Sequence, residues 1–197
     1  MPNLVVWHTI AMPDEVSGTL AQPYVACLAC LVANFHADGW VAEKIYVRHT
    51  AELSEQELIK EFFELIGDVK PQLVTFDGWR ALGDSAMRHK MTLPNFAPQL
   101  LNPLAIEDIS LCDVFSPNAA NKISLRSLCR RIGIDLAPRE ENDVRGYIRE
   151  NRFDDVANVC REELIGLFRF WLRRELFHGN LSRFGFERSE AALSSLA

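Results

Sequence analysis

Leu73-Val74-Thr75-Phe76-Asp77-Gly78-Trp79-Arg80-Ala81-Leu82-Gly83-Asp84-Ser85-Ala86-Met87-Arg88-His89-Lys90-Met91 is the stretch on which the reading of this chain turns. Its first residues, with Gln72, form a short apolar run bounded by Pro71 and by an Asp-Gly pair, the signature of a buried strand. Asp77-Gly78 marks a turn, and the residues after it read as a helix. A strand handing over to a helix within a few residues is the repeating unit of an α/β domain.

Working outward, Leu4 to Ile10 is a second apolar strand, ended by Met12-Pro13-Asp14. Tyr24 to Asn34 and Trp40 to Arg48 are two more, joined by Phe35-His36-Ala37-Asp38-Gly39, whose Asp-Gly predicts a hairpin turn. Ser54 caps a helix and Glu57 completes a capping box. Leu58, Phe62, Leu65 and Ile66 give that helix an apolar stripe. Thr92 to Pro103 holds three prolines and reads as a loop, and Ile106 to Phe115 contains an extended piece. Ser124–Ile132, Asp143–Glu150 and a long segment from Asp154 through Leu164–Phe177 read as helices, with Gly133 and Gly179 as stops. Residues 183–197 are expected to be a C-terminal tail, its last ten or so residues Ser- and Ala-rich and frayed. The expectation is one α/β domain over residues 1–182, a mixed sheet flanked by helices.

The 197 residues, 48% hydrophobic and 24% charged, suit a folded globular protein. No apolar run is long enough to span a bilayer and the start lacks the pattern of a signal peptide, so a cytoplasmic location and no membrane role are expected. The five cysteines lie in apolar segments, which points to buried thiols instead of a disulfide framework. Cys27 and Cys30 form a Cys-x-x-Cys pair on a strand, where residues three apart face opposite sides and cannot share a metal. Charge is uneven. Residues 1–120 carry seven Lys or Arg against fifteen Asp or Glu, and residues 121–197 carry fourteen against twelve, thirteen of the fourteen being arginine. Arginine suits bidentate phosphate contacts, while a salt-bridged helical surface is the plainer explanation.

Read in order, these segments resemble the predicted 3′–5′ exonucleases related to the proofreading domain of family-B DNA polymerases, in the DEDD superfamily with its RNase H-like fold. The resemblance runs from about Leu4 to Ser182. It is carried by Ser54-Glu55-Gln56-Glu57-Leu58-Ile59, Lys70-Pro71-Gln72-Leu73-Val74-Thr75-Phe76, Ser124-Leu125-Arg126-Ser127-Leu128-Cys129, Asp143-Val144-Arg145-Gly146-Tyr147-Ile148-Arg149-Glu150 and Leu172 to Ser182.

The resemblance implies four carboxylates holding two divalent ions, since Mg²⁺ and Mn²⁺ prefer oxygen ligands. It places His8 and Ile10 on the first two, Leu82 on the third and Glu163 on the fourth, with Val159 where a water-orienting Tyr belongs. The helper position falls on Ser110, and Asp113 keeps a second one. In that register Glu163 is the sole metal carboxylate left. The expectation is therefore a degenerate exonuclease-family protein with no metal cofactor and no two-metal nuclease activity. It keeps a cleft for single-stranded nucleic acid, with Trp79 stacking on bases and Arg80 nearby. Two alternatives stand beside it. One is a residual 3′–5′ exonuclease using His8, Asp84 and Glu163 around Mg²⁺ or Mn²⁺, the mixed donor set favouring Mn²⁺ or Zn²⁺ over Mg²⁺. The other is a protein-interaction subunit or homodimer, favoured by the net charge of −6.

Overall fold

The computed structural model describes residues 3–13, 23–67, 71–91, 108–111, 123–139 and 141–195. Asp14, Thr92–Pro103, Cys112 and Asp113 lie outside them. The described elements run β1 (Asn3–Pro13), β2 (Pro23–His36), β3 (Gly39–His49), α1 (Glu55–Gly67), β4 (Gln72–Thr75), α2 (Gly78–Arg88), β5 (Asp108–Ser110), α3 (Leu125–Arg131), α4 (Glu141–Arg149), α5 (Phe153–Phe177) and α6 (Arg183–Ser194).

The strands form one mixed sheet in the order β3-β2-β1-β4-β5. β1 pairs antiparallel with β2 and parallel with β4, which is in turn parallel to β5. The central place of β1 beside β4 agrees with its apolar content, since a strand flanked on both edges and both faces has no solvent side. Strand alternation sends Leu4, Val6 and Ile10 into one core with α5, and Val5 and Trp7 into another with α1 and α2. Cys27 and Cys30 separate in the same way, one to each core, and both thiols are free. Burial pushes the Cys30 and Cys160 thiols up, and that of Cys129 to about 11.

The capping box forms as read: the Ser54 amide donates to Glu57 Oε2 at 2.8 Å, and the Glu57 amide to Ser54 Oγ at 3.3 Å. Beside it, Glu55 turns inward and ties three elements together. Its carboxylate accepts from the Val25 amide (2.6 Å), from Ser85 Oγ and from Arg88 Nη2 (2.7 Å), and lies 2.7 Å from His89 Nε2. His89 is thus a partner in a half-buried network. Burial alone raises the Glu55 carboxyl; the bonds from Ser85, His89 and Val25, and then the Arg88 charge, outweigh it and hold the group below the usual carboxylate range. A depressed carboxyl contributes stability above its unfolded pKa and loses it as pH falls through the folded one. Glu55→Ala is therefore expected to cost about 2 kcal/mol at neutral pH. In urea melts the gap to the parent should close as pH drops below about 4.

One expectation is corrected by the structure. Residues 183–194 are not a frayed tail. They form α6, capped by Ser182, whose side chain accepts from the Gly185 amide, with Gly185, Ser189 and Leu193 buried against β3. The hairpin expected between β2 and β3 forms, with Ala37-Asp38 as its two-residue loop, since His36 pairs with Gly39. Gly39 is needed for a different reason. A Cβ there would lie 2.7 Å from the Gly185 carbonyl, and a Cβ at Gly185 would collide with the Asp38 carbonyl. Two facing glycines let α6 sit on the strand, where the Trp40 amide donates to Ser189 Oγ at 2.8 Å.

Candidate functional site

His8 and Ile10 lie on the same side of β1, facing α5. The helix presents Glu163 to them, held in place by a stripe that includes Val159, Cys160, Leu164 and Leu167, all fully buried. Cys160 adds a contact from its thiol to the His8 carbonyl at 3.8 Å. A third element completes the arrangement. Ser124 caps α3 by accepting from the Ser127 amide, and one turn of that helix carries Arg126 toward the same point.

The result is an ion chain across the cleft. Glu163 Oε2 is 2.8 Å from His8 Nε2, and Glu163 Oε1 accepts from Arg126 Nε at 2.6 Å. Arg126 also donates from Nη1 to the Ala137 carbonyl at 2.6 Å and lies 3.9 Å from Glu162, which pairs with Arg139 at 3.4 Å. His8, Glu163 and Arg126 expose 14%, 15% and 22% of their side chains, so the pairing works in a medium much less screening than water. Burial alone raises the Glu163 carboxyl. The bond and charge from His8, followed by the charge and bond from Arg126, win and hold it below the usual range. The extra methylene of Glu over Asp lets the carboxylate reach β1.

Around this chain is a cavity of about 700 Å³. His8 to Met12 of β1, Phe76 and Asp77 at the end of β4, Ser124 to Ser127 and Arg130 of α3, Ile134 to Leu136, Arg139, and Val144 and Arg145 of α4 all contribute to it. Among the described residues its lining carries four arginines, His8 and the carboxylates Asp77, Asp135 and Glu163.

The structure divides the residues expected at the site. His8, Ile10 and Glu163 meet in the cleft. Leu82 and Val159 do not: Leu82 is 1% exposed in the core under α1 and α2, and Val159 is fully buried in the other. Trp79 is not a stacking platform in the cleft. Its ring packs edge-on at 4.8 Å from Trp7 and 6.4 Å from Phe62, on the α1–α2 face of the sheet. Arg80 is exposed on α2 and takes no part in the cavity. Asp84 sits on α2 as well, and among the described residues no three His, Cys, Asp or Glu side chains gather in an arrangement that could hold a metal ion. His8, Asp84 and Glu163 thus do not form one ligand set.

The donor chemistry points the same way. Both Glu163 oxygens are occupied, one by a guanidinium that would repel a cation, and Ile10 offers no electron pair. Among the described residues, this donor set does not fit a two-metal centre. Three participants escaped the sequence reading. Asp77 was taken as a turn residue, although it lines the cavity where strand gives way to helix. Arg126 and Arg139 were visible only as part of an arginine-rich half, and their roles depend on partners far away in the chain. Much of that half is spent internally, as with Arg169–Glu190, Arg174–Glu175 and Arg183–Glu187. The plainer explanation of the charge bias holds for those residues.

A five-stranded mixed sheet with β1 at its centre, and a long C-terminal helix offering an acidic residue to that strand, defines an RNase H-like domain of the exonuclease type. A family model described as "Predicted 3′-5′ exonuclease related to the exonuclease domain of PolB" matches residues 20–196, and the chain belongs to that family. The matched segment begins beyond β1 and does not include His8 or Ile10.

Solved structures agree on the architecture. A 3′-exonuclease solved for 3′-end specific recognition of a histone mRNA stem-loop matches with a TM-score of 0.54 at 12% identity, covering 90% of this chain and 82% of that one. A full-length 3′-exonuclease gives 0.52 at the same identity and coverages. The family B DNA polymerase of the hyperthermophilic archaeon Pyrobaculum calidifontis gives 0.57 at 12% identity over 90% of this chain, which spans 25% of the polymerase. At such identity these likenesses speak for the fold alone. No curated protein sequence matches the chain. Among the described residues no helix is long and apolar enough to cross a membrane.

Proposed function

We propose that this protein is a degenerate member of its exonuclease family, without two-metal nuclease activity, whose cleft holds single-stranded nucleic acid. The observation that supports it is the His8–Glu163–Arg126 chain, at 2.8 and 2.6 Å. A fixed guanidinium and an imidazole take up the carboxylate that a family member would use for metal. The base of the cleft is thereby closed by a matched ion pair, which supplies neither an activated water nor a Lewis acid for the leaving oxygen, and phosphate contacts fall to the other arginines that line the cavity, Arg130 and Arg145.

Calorimetric titration of the protein with Mg²⁺ and with Mn²⁺ is expected to give no saturable heat at micromolar to low millimolar metal. Gel assays with 3′-labelled single strands and duplexes of DNA and RNA should show no stepwise shortening. Mn²⁺ binding together with digestion that Glu163→Ala abolishes would restore the enzyme reading. Failure to bind any single strand at low salt would instead favour a protein-interaction role. For that role the observation is the pair Phe177 and Phe184, 86% and 64% exposed on either side of the α5–α6 turn.

A further inference from the structure

The four cleft arginines are not used alike. Arg126 and Arg139 are turned toward Glu163 and Glu162. Arg130, in the last turn of α3, and Arg145, on α4, line the same cavity, are exposed, and have no ion-pair partner among the described residues. The carboxylates among the described lining residues can be accounted for one by one. Glu163 has both oxygens engaged and Asp77 already has an interaction of its own. That leaves Asp135, exposed on the cavity and without an ion-pair partner among the described residues. Among the described residues, two guanidinium groups and one carboxylate without ion-pair partners thus line the cavity, beside a cleft floor whose charges are already matched.

Guanidinium groups recognise phosphate oxygens bidentately. A pair of them distinguishes a phosphomonoester, which carries about −1.5 to −2 charges and three acceptor oxygens at neutral pH, from an internal phosphodiester with a single charge. Asp135 opposes every anion that enters, and the most charged group most, but two guanidinium groups against one carboxylate leave a balance that still favours the ligand group with most charge to offer both arginines at once.

We infer that Arg130 and Arg145 form a receptor for the terminal phosphomonoester of a single nucleic-acid strand, bound without a metal ion. The inference rests on the reading that the cleft admits a single strand, and it adds which part of the strand is recognised.

The test is fluorescence anisotropy on the full chain at low salt with EDTA present. The probes are one short labelled oligonucleotide with a phosphate at its 3′ or 5′ end, and the same sequence with hydroxyls at both. The phosphorylated strand should bind about tenfold or more tightly than the hydroxyl strand. Arg130→Gln with Arg145→Gln should remove that difference, and Asp135→Asn should widen it. All three side chains are exposed, and an unchanged melting temperature checks that the variants fold. Equal binding of the two strands overturns the receptor and leaves the strand-binding cleft standing. No binding of either overturns both. Competition by inorganic phosphate as effective as by the phosphorylated strand overturns the strand-end assignment, and a requirement for Mg²⁺ overturns the metal-free one.

Discussion

Glu163→Ala is expected to lower the unfolding free energy by about 3 kcal/mol, the cost of removing one partner from a largely buried ion pair. The loss exceeds that at Glu55 because of what is left behind. Arg88 and His89 are 27% and 30% exposed and water can reach them when Glu55 is gone, whereas Arg126 and His8 are 22% and 14% exposed. The penalty should shrink in acid, because a carboxyl held below its usual range contributes less as pH falls through its folded pKa. Denaturant melts of the parent and Glu163→Ala from neutral pH down to about pH 3 would measure it. Replacing His8, Arg126 and Glu163 together by apolar residues of similar volume should recover part of the loss, since such residues need no partner. A catalytic carboxylate would behave in the opposite way, its removal abolishing activity with little effect on stability. A Glu163→Ala protein as stable as the parent would sink the ion-chain account.

The second large effect is a gain. The register of the sequence alone recommends His8→Asp, Ile10→Glu, Leu82→Asp, Val159→Tyr and Glu163→Asp as the set that restores catalysis. The structure argues against two of these. Leu82→Asp would bury an unpaired charge in the core under α1 and α2, and Val159→Tyr would overpack a position with no free surface. A set drawn from the cleft itself keeps Asp77 as the third carboxylate, makes His8→Asp, Ile10→Glu and Glu163→Asp, and adds Arg126→Ala to remove the competing guanidinium. That protein is expected to shorten a single strand from its 3′ end with Mg²⁺, about a hundredfold or more above the parent, because metal stabilisation of developing charge is worth several kcal/mol. A gel assay with 3′-labelled oligonucleotide, with and without EDTA, reads it directly. Tight Mn²⁺ binding with no turnover would show that the cleft cannot position a 3′ end.

The centre of the sheet was legible because β1 and β4 are buried on both faces and announce themselves as apolar runs. The capping box at Ser54 and Glu57 was equally plain, being local. What escaped reading depends on contacts between distant residues. Arg126 meets Glu163 across 37 positions, and nothing in either neighbourhood indicates the pairing. Leu82 and Trp79 were assigned to a cleft by counting from Asp77, but the helix they begin turns its apolar side to the opposite core. Small residues misled in the other direction. Gly185 and Ser189 read as components of a loose tail, and they are small because a strand backbone lies against them.

That close contact also orders events in time. Trp40 and Ser189 are 149 positions apart. As the chain emerges from a ribosome at about 5–20 residues per second, the β2–β3 hairpin waits roughly 7–30 s for the helix that will cover it. Throughout that interval the Trp40 amide lacks its Ser189 partner, and the strand face that ends up beneath α6 is open to solvent and to neighbouring nascent chains.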